Sequence, residues 1–335
     1  MNSFGQNFRV TLWGESHGEQ VGVSIDGVIA GIPLTVEEFA ADLDRRRSGG
    51  KGTTPRRESD IPTIVSGLFE GHTTGAPLTI TFANESTRSK DYSQLTHHFR
   101  PSHSDRVAAV KYNGHNDYRG GGHFSGRLTL ALTAAGVVAK KILNYCGSAN
   151  FTTQIVELGG SSEPAEFDQI IDSAIERKDS VGGVIECRVD GVPTGLGEPF
   201  FDSVESRMAH IMFAIPAVKG VEFGAGFESA RMRGSENNDP IVDAAGTTST
   251  NHAGGINGGI TNGNPIVVRV AVKPTPSISA EQMTFDTATG AMEKLVVGGR
   301  HDAAIIMRAG VVVEAAAAIA LADLTLSAIN PNFGS

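Results

Sequence analysis

Two segments of the chain repeat one pattern of apolar and polar positions without a gap. Residues 21–33 read VGVSIDGVIAGIP and residues 181–193 read VGGVIECRVDGVP. Both fit V-G-x-x-I-acid-x-x-x-x-G-(Ile or Val)-Pro, a strand that ends in a Gly-x-Pro turn. Each leads towards a helix. In the first, Thr35 and Glu38 form a capping box, Val36, Phe39 and Leu43 share one face, and Gly49 and Gly50 stop it. In the second, Asp202 and Glu205 precede Met208, Ile211 and Met212. Residues 127–143 and 311–326 are rich in Ala, Leu and Val with few charges on any face, the mark of helices buried on most sides. Residues 184–189 and Ile266–Val272 read as strands. The expected architecture is antiparallel sheets packed on a layer of buried helices, in two related halves joined near residues 147–180. No G-x-G-x-x-G joins a strand to a helix and no P-loop is present, which argues against a Rossmann or P-loop fold.

The bulk numbers narrow the function. The chain has 335 residues, 40% hydrophobic, enough for a real core. Its net charge of -9 weighs against general nucleic-acid binding. Cys146 and Cys187 form no CxxC pair and lie in apolar stretches, so both are expected in the core of a protein from a reducing, cytoplasmic compartment. The N-terminus lacks a basic-then-apolar export signal. The most apolar stretches, 128–139 and 309–321, fall short of the roughly 20 residues of a membrane helix. Glycine is abundant at 41 residues and clustered, which means tight turns or backbone brought close to a ligand.

Six segments could carry chemistry. Arg45, Arg46, Arg47, Lys51, Arg56 and Arg57 put six cations between residues 45 and 57 without one acid. They read either as a solvated helix end or, through the flexible Gly-Gly-Lys-Gly-Thr-Thr between them, as a lid over an anion. His17, between small residues in GESHG, is expected to be poorly shielded and open to a ligand. His103, in FRPSHSD with Asp105 close by, suits proton donation near neutral pH. In DYRGGGHFSGR, three glycines before a helix starting near Ser125 offer N–H groups to an anion. NHAGGINGGITNG precedes a strand and then Lys273, Pro274, Thr275, Pro276 and Ser277, a turn suited to phosphate. Last, GGRHD brings Arg300 and Asp302 to the start of a buried helix. HExxH is absent and the histidines lack metal-ligand spacing, so no metal is expected. Together these segments point to a small, highly anionic substrate and a phosphate-bearing cofactor.

FGQNFRVTLWGESHG, DLDRRRSGG, FRPSHSD, DYRGGG, NHAGGINGGITNG, KPTPSI and GGRHD resemble, in this order, the signature segments of the chorismate synthases, from about residue 4 to the C-terminus. The resemblance implies a lyase acting on 5-enolpyruvylshikimate 3-phosphate. Phosphate is lost by 1,4-anti elimination to give chorismate, with reduced FMN required and no net redox change. It implies an α+β fold, a β-α-β sandwich with a central helical layer between antiparallel sheets, as one domain over 1–335. The two pseudo-repeated halves would span roughly 1–147 and 180–335. It also implies a homotetramer. By position, His17 would protonate the reduced flavin, His103 would assist the departing phosphate and Asp302 would relay a proton. Arg46, Arg47, Lys51, Arg127 and Arg300 would surround the substrate, Lys51 in the lid. His123, Phe124, Ser125, Ala217, Gly258, Lys273, Pro274, Thr275, Pro276, Ser277 and Arg300 would hold the flavin.

The chain departs from the family at a few points. His123, Phe124 and Leu128 stand where the family often has an arginine, a serine and a glutamate, Pro216 replaces a polar residue, and Lys51 replaces a lid arginine. A bidentate clamp there becomes a point charge. Two rival readings are a flavin-binding protein without the elimination activity and an RNA-binding module using residues 45–57. The sequence leaves open whether the chain reduces its flavin with NADPH or relies on a separate flavin reductase.

Overall fold

The computed structural model describes residues 1–54, 58–85, 94–299 and 301–329. In chain order the first part of the fold is β1 (Ser3–Phe4), β2 (Arg9–Gly14), β3 (Gln20–Asp26), α1 (Ala40–Arg46), β4 (Thr63–Ser66), β5 (Leu68–Phe69), β6 (His72–Thr73), β7 (Leu78–Ala83), α2 (Asp105–Lys111) and α3 (Thr129–Cys146). The second is β8 (Asn150–Leu158), α4 (Phe167–Glu176), β9 (Gly183–Asp190), α5 (Val204–Met212), β10 (Val218–Phe223), α6 (Gly234–Asn237), β11 (Ile256–Asn257), β12 (Ile260–Thr261), β13 (Ile266–Val272), β14 (Gln282–Asp286), β15 (Ala291–Leu295) and α7 (Gly310–Ile329). The fold thus mixes helix and sheet, an α+β protein.

One antiparallel sheet runs β1-β2-β3-β7-β4 and another runs β10-β13-β9-β8. The first repeated segment supplies β3, flanked by β2 and β7, and the second supplies β9, flanked by β13 and β8. In β3 the alternation of Val21, Val23 and Ile25 sends those three side chains inward. α3 packs on β3 and β7, α7 packs on β8 and β9, and the two helices pack on each other. Gly136 permits that approach: a Cβ there would lie 2.3 Å from the Cβ and 2.5 Å from the Cα of Ala315.

Every residue of α7 from Val311 to Thr325 is buried, including Glu314 and Asp323. Buried carboxylates are costly unless paired, and both are. Glu314 accepts from Arg45 Nη1 at 2.8 Å, Lys140 Nζ at 3.0 Å and Thr153 Oγ1 at 2.7 Å. Asp323 Oδ1 accepts the backbone N–H groups of Gln6, Asn7 and Phe8, and Oδ2 accepts from Arg207. These pairs fix α7 against α1, α3, α5 and the N-terminal turn.

Three expectations need correction. α7 is 20 residues long, long and apolar enough by length and composition to cross a membrane, but 72% of its most apolar window is buried inside the fold. The sequence boundary came up short because Asp323 closes the apolar run, and its charge is neutralised internally. Cys146 is exposed at the end of α3, unlike buried Cys187, because α3 passes its packing partners before that turn. The capping box is half made: Glu38 accepts the Thr35 N–H at 2.8 Å, but a 3-10 turn over Glu37–Phe39 opens the helix with no side-chain cap. The cap of α5 is Ser203, which accepts the Ser206 N–H.

Candidate active site

The loops at the ends of both sheets converge on one cavity of about 1120 Å³. Its lining includes His17, Arg46, Arg47, Asp60, His103 and Asp302, drawn from five separate stretches of chain.

The two histidines are brought together by glycine. His17 follows β2 and is buried rather than open as expected. The Gly120 turn lies on its ring: a Cβ on Gly120 would sit 2.7 Å from His17 Cδ2, at a φ of +59°. One residue on, a Cβ on Gly121 would lie 3.4 Å from His103 Cε1. The glycine turn therefore wedges between the two imidazoles. Ser16 N–H closes it onto the β2 end by donating to Gly122 O at 3.1 Å.

His103 is oriented by a buried carboxylate. Its Nδ1 lies 2.6 Å from Asp105 Oδ1. Arg100 grips the same carboxylate through Nε and Nη2, each at 2.7 Å, and reaches Ser277 Oγ at 2.8 Å with Nη1. Burial alone would raise the Asp105 carboxyl, but Arg100 and His103 outweigh it and hold it well below the usual range. Burial lowers the His103 imidazole below its ordinary range, against the opposing pull of Asp105.

The basic run divides: Arg46 is buried, while Arg45 stays exposed. Arg45 turns to Glu314. Arg46 is buried at the cavity wall, where Nε donates to Thr129 Oγ1 at 3.0 Å and Nη2 to Gly126 O at 3.2 Å. Arg47 reaches Asp44 at 2.6 Å and Ser59 O at 2.8 Å. Lys51 does not line the cavity. Its Nζ lies 2.9 Å from Asp172 and 3.5 Å from Asp168, both on α4, because the lid segment folds over that helix. The segment is docked: Thr54 N–H donates to Asp302 Oδ1 at 2.6 Å and Ala304 N–H to Gly52 O at 2.9 Å. Arg56, Arg57 and Arg300 lie outside the described residues.

Among the expected cofactor residues, His123, Phe124, Ser125, Ala217, Lys273, Thr275, Pro276 and Ser277 line the cavity. His123 Nδ1 donates to Gly14 O at 2.8 Å, and Ser125 caps the turn into α3 by accepting the Arg127 N–H. Pro274 and Gly258 do not line it: Pro274 packs where Gly182 leaves room, and Gly258 lies in the β11–β12 turn. Thr275 Oγ1 is buried without a hydrogen-bond partner among the described residues. Lys273 lies on the same wall as Lys219, and burial together with Lys219 lowers its pKa. An orphaned hydroxyl and two crowded cations lining one cavity suit a phosphate group.

Three residues escaped the sequence reading. Asp60 bridges Arg46 and Arg127, Arg308 holds Asp302 Oδ2 at 2.6 Å, and Arg100 organises the His103 end. The available signals were an acid just after a run of cations and an arginine six residues beyond Asp302.

The comparisons with known proteins agree with one another. A family model described as chorismate synthase matches residues 8–326. The chain is 60% identical over 326 residues to a chorismate synthase of Chitinophaga pinensis, covering 97% of each. It is 46% identical over 355 residues to one of Dehalococcoides mccartyi, covering 98% of this chain and 97% of that one. A crystal structure of a chorismate synthase matches with a TM-score of 0.73 at 30% identity, covering 99% of this chain and 94% of that one. On the matched length and these identities, the chain belongs to the chorismate synthase family.

Proposed function

We propose that the 1120 Å³ cavity binds 5-enolpyruvylshikimate 3-phosphate beside a reduced flavin and expels its phosphate to give chorismate. As a family member the chain is a lyase of aromatic amino acid biosynthesis. The observation that carries the reading is the convergence of His17, His103 and Asp302 on one cavity walled by Arg46, Arg47 and Arg127.

The substrate carries two carboxylates and a phosphate, and guanidiniums offset the cost of gathering them. In the elimination the C6–H electron pair becomes C1=C6, the ring double bond moves from C1=C2 to C2=C3, and the C3–O pair leaves with phosphate. Reduced flavin, when bound beside the substrate, would lend electron density to the breaking bond with no net redox change. His103, aimed by Asp105, gives its proton to the departing phosphate. His17 holds a proton towards the flavin, and Asp302, fixed by Arg308 and the Thr54 N–H, accepts one on that side. Lys273, Thr275 and Ser277 would hold the flavin phosphate, and His123, Phe124, Ser125 and Ala217 its ring. Ser277 also ties this wall to Arg100.

The test is anaerobic incubation with the enolpyruvyl substrate and chemically reduced FMN, following phosphate and chorismate. Turnover is expected, and His17→Ala and His103→Ala should each lower it by about 10²–10⁴. No product from the wild type would remove the reading. A parallel run with oxidised FMN and NADPH separates self-reduction from dependence on a reductase.

The proposal extends to the architecture. The two sheets with α3 and α7 between them read as a β-α-β sandwich of two related halves. Exposed Phe200, Phe201 and Phe227 suit burial in a homotetramer. Two cysteines left as free thiols suit the reducing cytoplasm.

A further inference from the structure

Asp60 adopts a left-handed φ of +51°, a conformation that Asp tolerates better than most residues with a side chain. Its carboxylate is only 3% exposed and stands between two guanidiniums from different elements. Oδ1 accepts from Arg127 Nη1, and Oδ2 accepts from Arg46 Nη1 at 3.5 Å. Other donors of the pair are pinned as well. Arg127 donates through Nε to Asn84 Oδ1 at 3.0 Å and through Nη2 to Ala83 O at 3.1 Å, and Arg46 is held by Thr129 and Gly126.

Two guanidiniums in one desolvated wall repel each other. For Arg46 burial is the largest effect, Arg308 and Arg127 add to it, and Asp60 opposes them, leaving its pKa at about 9. One carboxylate shared by two cations leaves one surplus positive charge at the cavity wall. That charge is already desolvated and oriented, so an arriving oxyanion meets donors that need no rearrangement.

We propose that Asp60 is a positioning residue: it yokes Arg46 and Arg127 into one anion-receiving fork that takes an oxyanion of the substrate. This inference rests on the functional reading above, and the assay keeps the two apart. Under saturating reduced FMN the wild type must release phosphate and chorismate, and its failure to do so would count against that reading alone. Asp60→Asn keeps the backbone preference and the shape but removes the charge and presents an amide N–H to one arginine. The expected result is a substrate KM raised about tenfold or more, while kcat falls by far less. A residue needed only for folding would lower the active fraction, reducing kcat and leaving KM unchanged. Should Asp60→Asn fail to fold, Asp60→Glu keeps the one negative charge between the two guanidiniums and shifts the carboxylate by one methylene, and the same rise in KM is expected. A KM within about twofold of wild type in every variant that folds overturns the proposal. Inhibition by inorganic phosphate names the group received. A phosphate inhibition constant that rises with KM assigns the fork to the substrate phosphate, and one that stays fixed assigns it to a carboxylate.

Discussion

His103 Nδ1 lies 2.6 Å from Asp105 Oδ1, and Arg100 holds that carboxylate from its other side through two hydrogen bonds of 2.7 Å. Asp105 thereby fixes which way the imidazole points and favours its protonated form. Burial works against that form and wins, so the imidazolium is lost as pH rises through a value below the ordinary imidazole range.

A pH prediction follows for the free enzyme, which kcat/KM reports. The basic limb assigned to His103 should lie below the ordinary imidazole range. Asp105→Asn removes the interaction that raises the pKa and leaves the burial that lowers it. The limb should move to lower pH, and kcat/KM at neutral pH should fall on the order of tenfold. Initial rates between about pH 5 and pH 9 give the profile. Superimposable profiles for wild type and variant would show that Asp105 does not tune the acid.

Arg308 and Asp302 form a second pair, at 2.6 Å, with Asp302 nearly buried. Arg308→Met should cost about 3–5 kcal/mol of stability, because it leaves a buried carboxylate without its cation. Asp302→Asn in the same chain should restore most of that stability and none of the activity. Thermal unfolding of the single and double variants, with rates measured alongside, separates the two effects. Additive stability losses would mean the pair is not coupled.

Lys51 supplies the opposite expectation. It sits on α4 beside Asp168 and Asp172, outside the main cavity and partly exposed. Surface ion pairs contribute about 0–1 kcal/mol. Lys51→Ala should leave kcat/KM within about threefold of wild type. A loss on the order of a hundredfold would show that the lysine leaves α4 and enters the site during turnover.

The sequence displayed regular elements better than pairings across the fold. Val21, Val23 and Ile25 announced β3 by their alternation, and the charge-poor runs announced α3 and α7, because burial imprints a period on residues near in the chain. The histidines and Asp302 were legible through short motifs. Asp60 was not, since its role depends on Arg46 fourteen residues back and Arg127 sixty-seven residues ahead. Nor did composition reveal that Arg45 neutralises Glu314, 269 residues away. Lys51 was read by its neighbours in the chain, whereas its partners are two acids on α4.

Gly120 offers the sharpest test of the cavity geometry, with Gly160 as its control. Both have a left-handed φ, +59° and +90°, so alanine at either should cost roughly 1–2 kcal/mol of backbone strain. They differ in their surroundings. Nothing lies within 4 Å of a Cβ on Gly160, whereas a Cβ on Gly120 meets His17 Cδ2 at 2.7 Å and Ser16 Oγ at 2.8 Å. The His17 ring cannot yield without leaving the position that faces the cavity. Misplacing a reacting group by about 1 Å can cost on the order of 10²-fold in rate. Gly160→Ala should therefore lose only the backbone contribution, whereas Gly120→Ala loses at least that and, alone of the two, about two orders of magnitude in kcat/KM. Equal rates for the two variants would show that His17 need not stand where the glycine turn holds it.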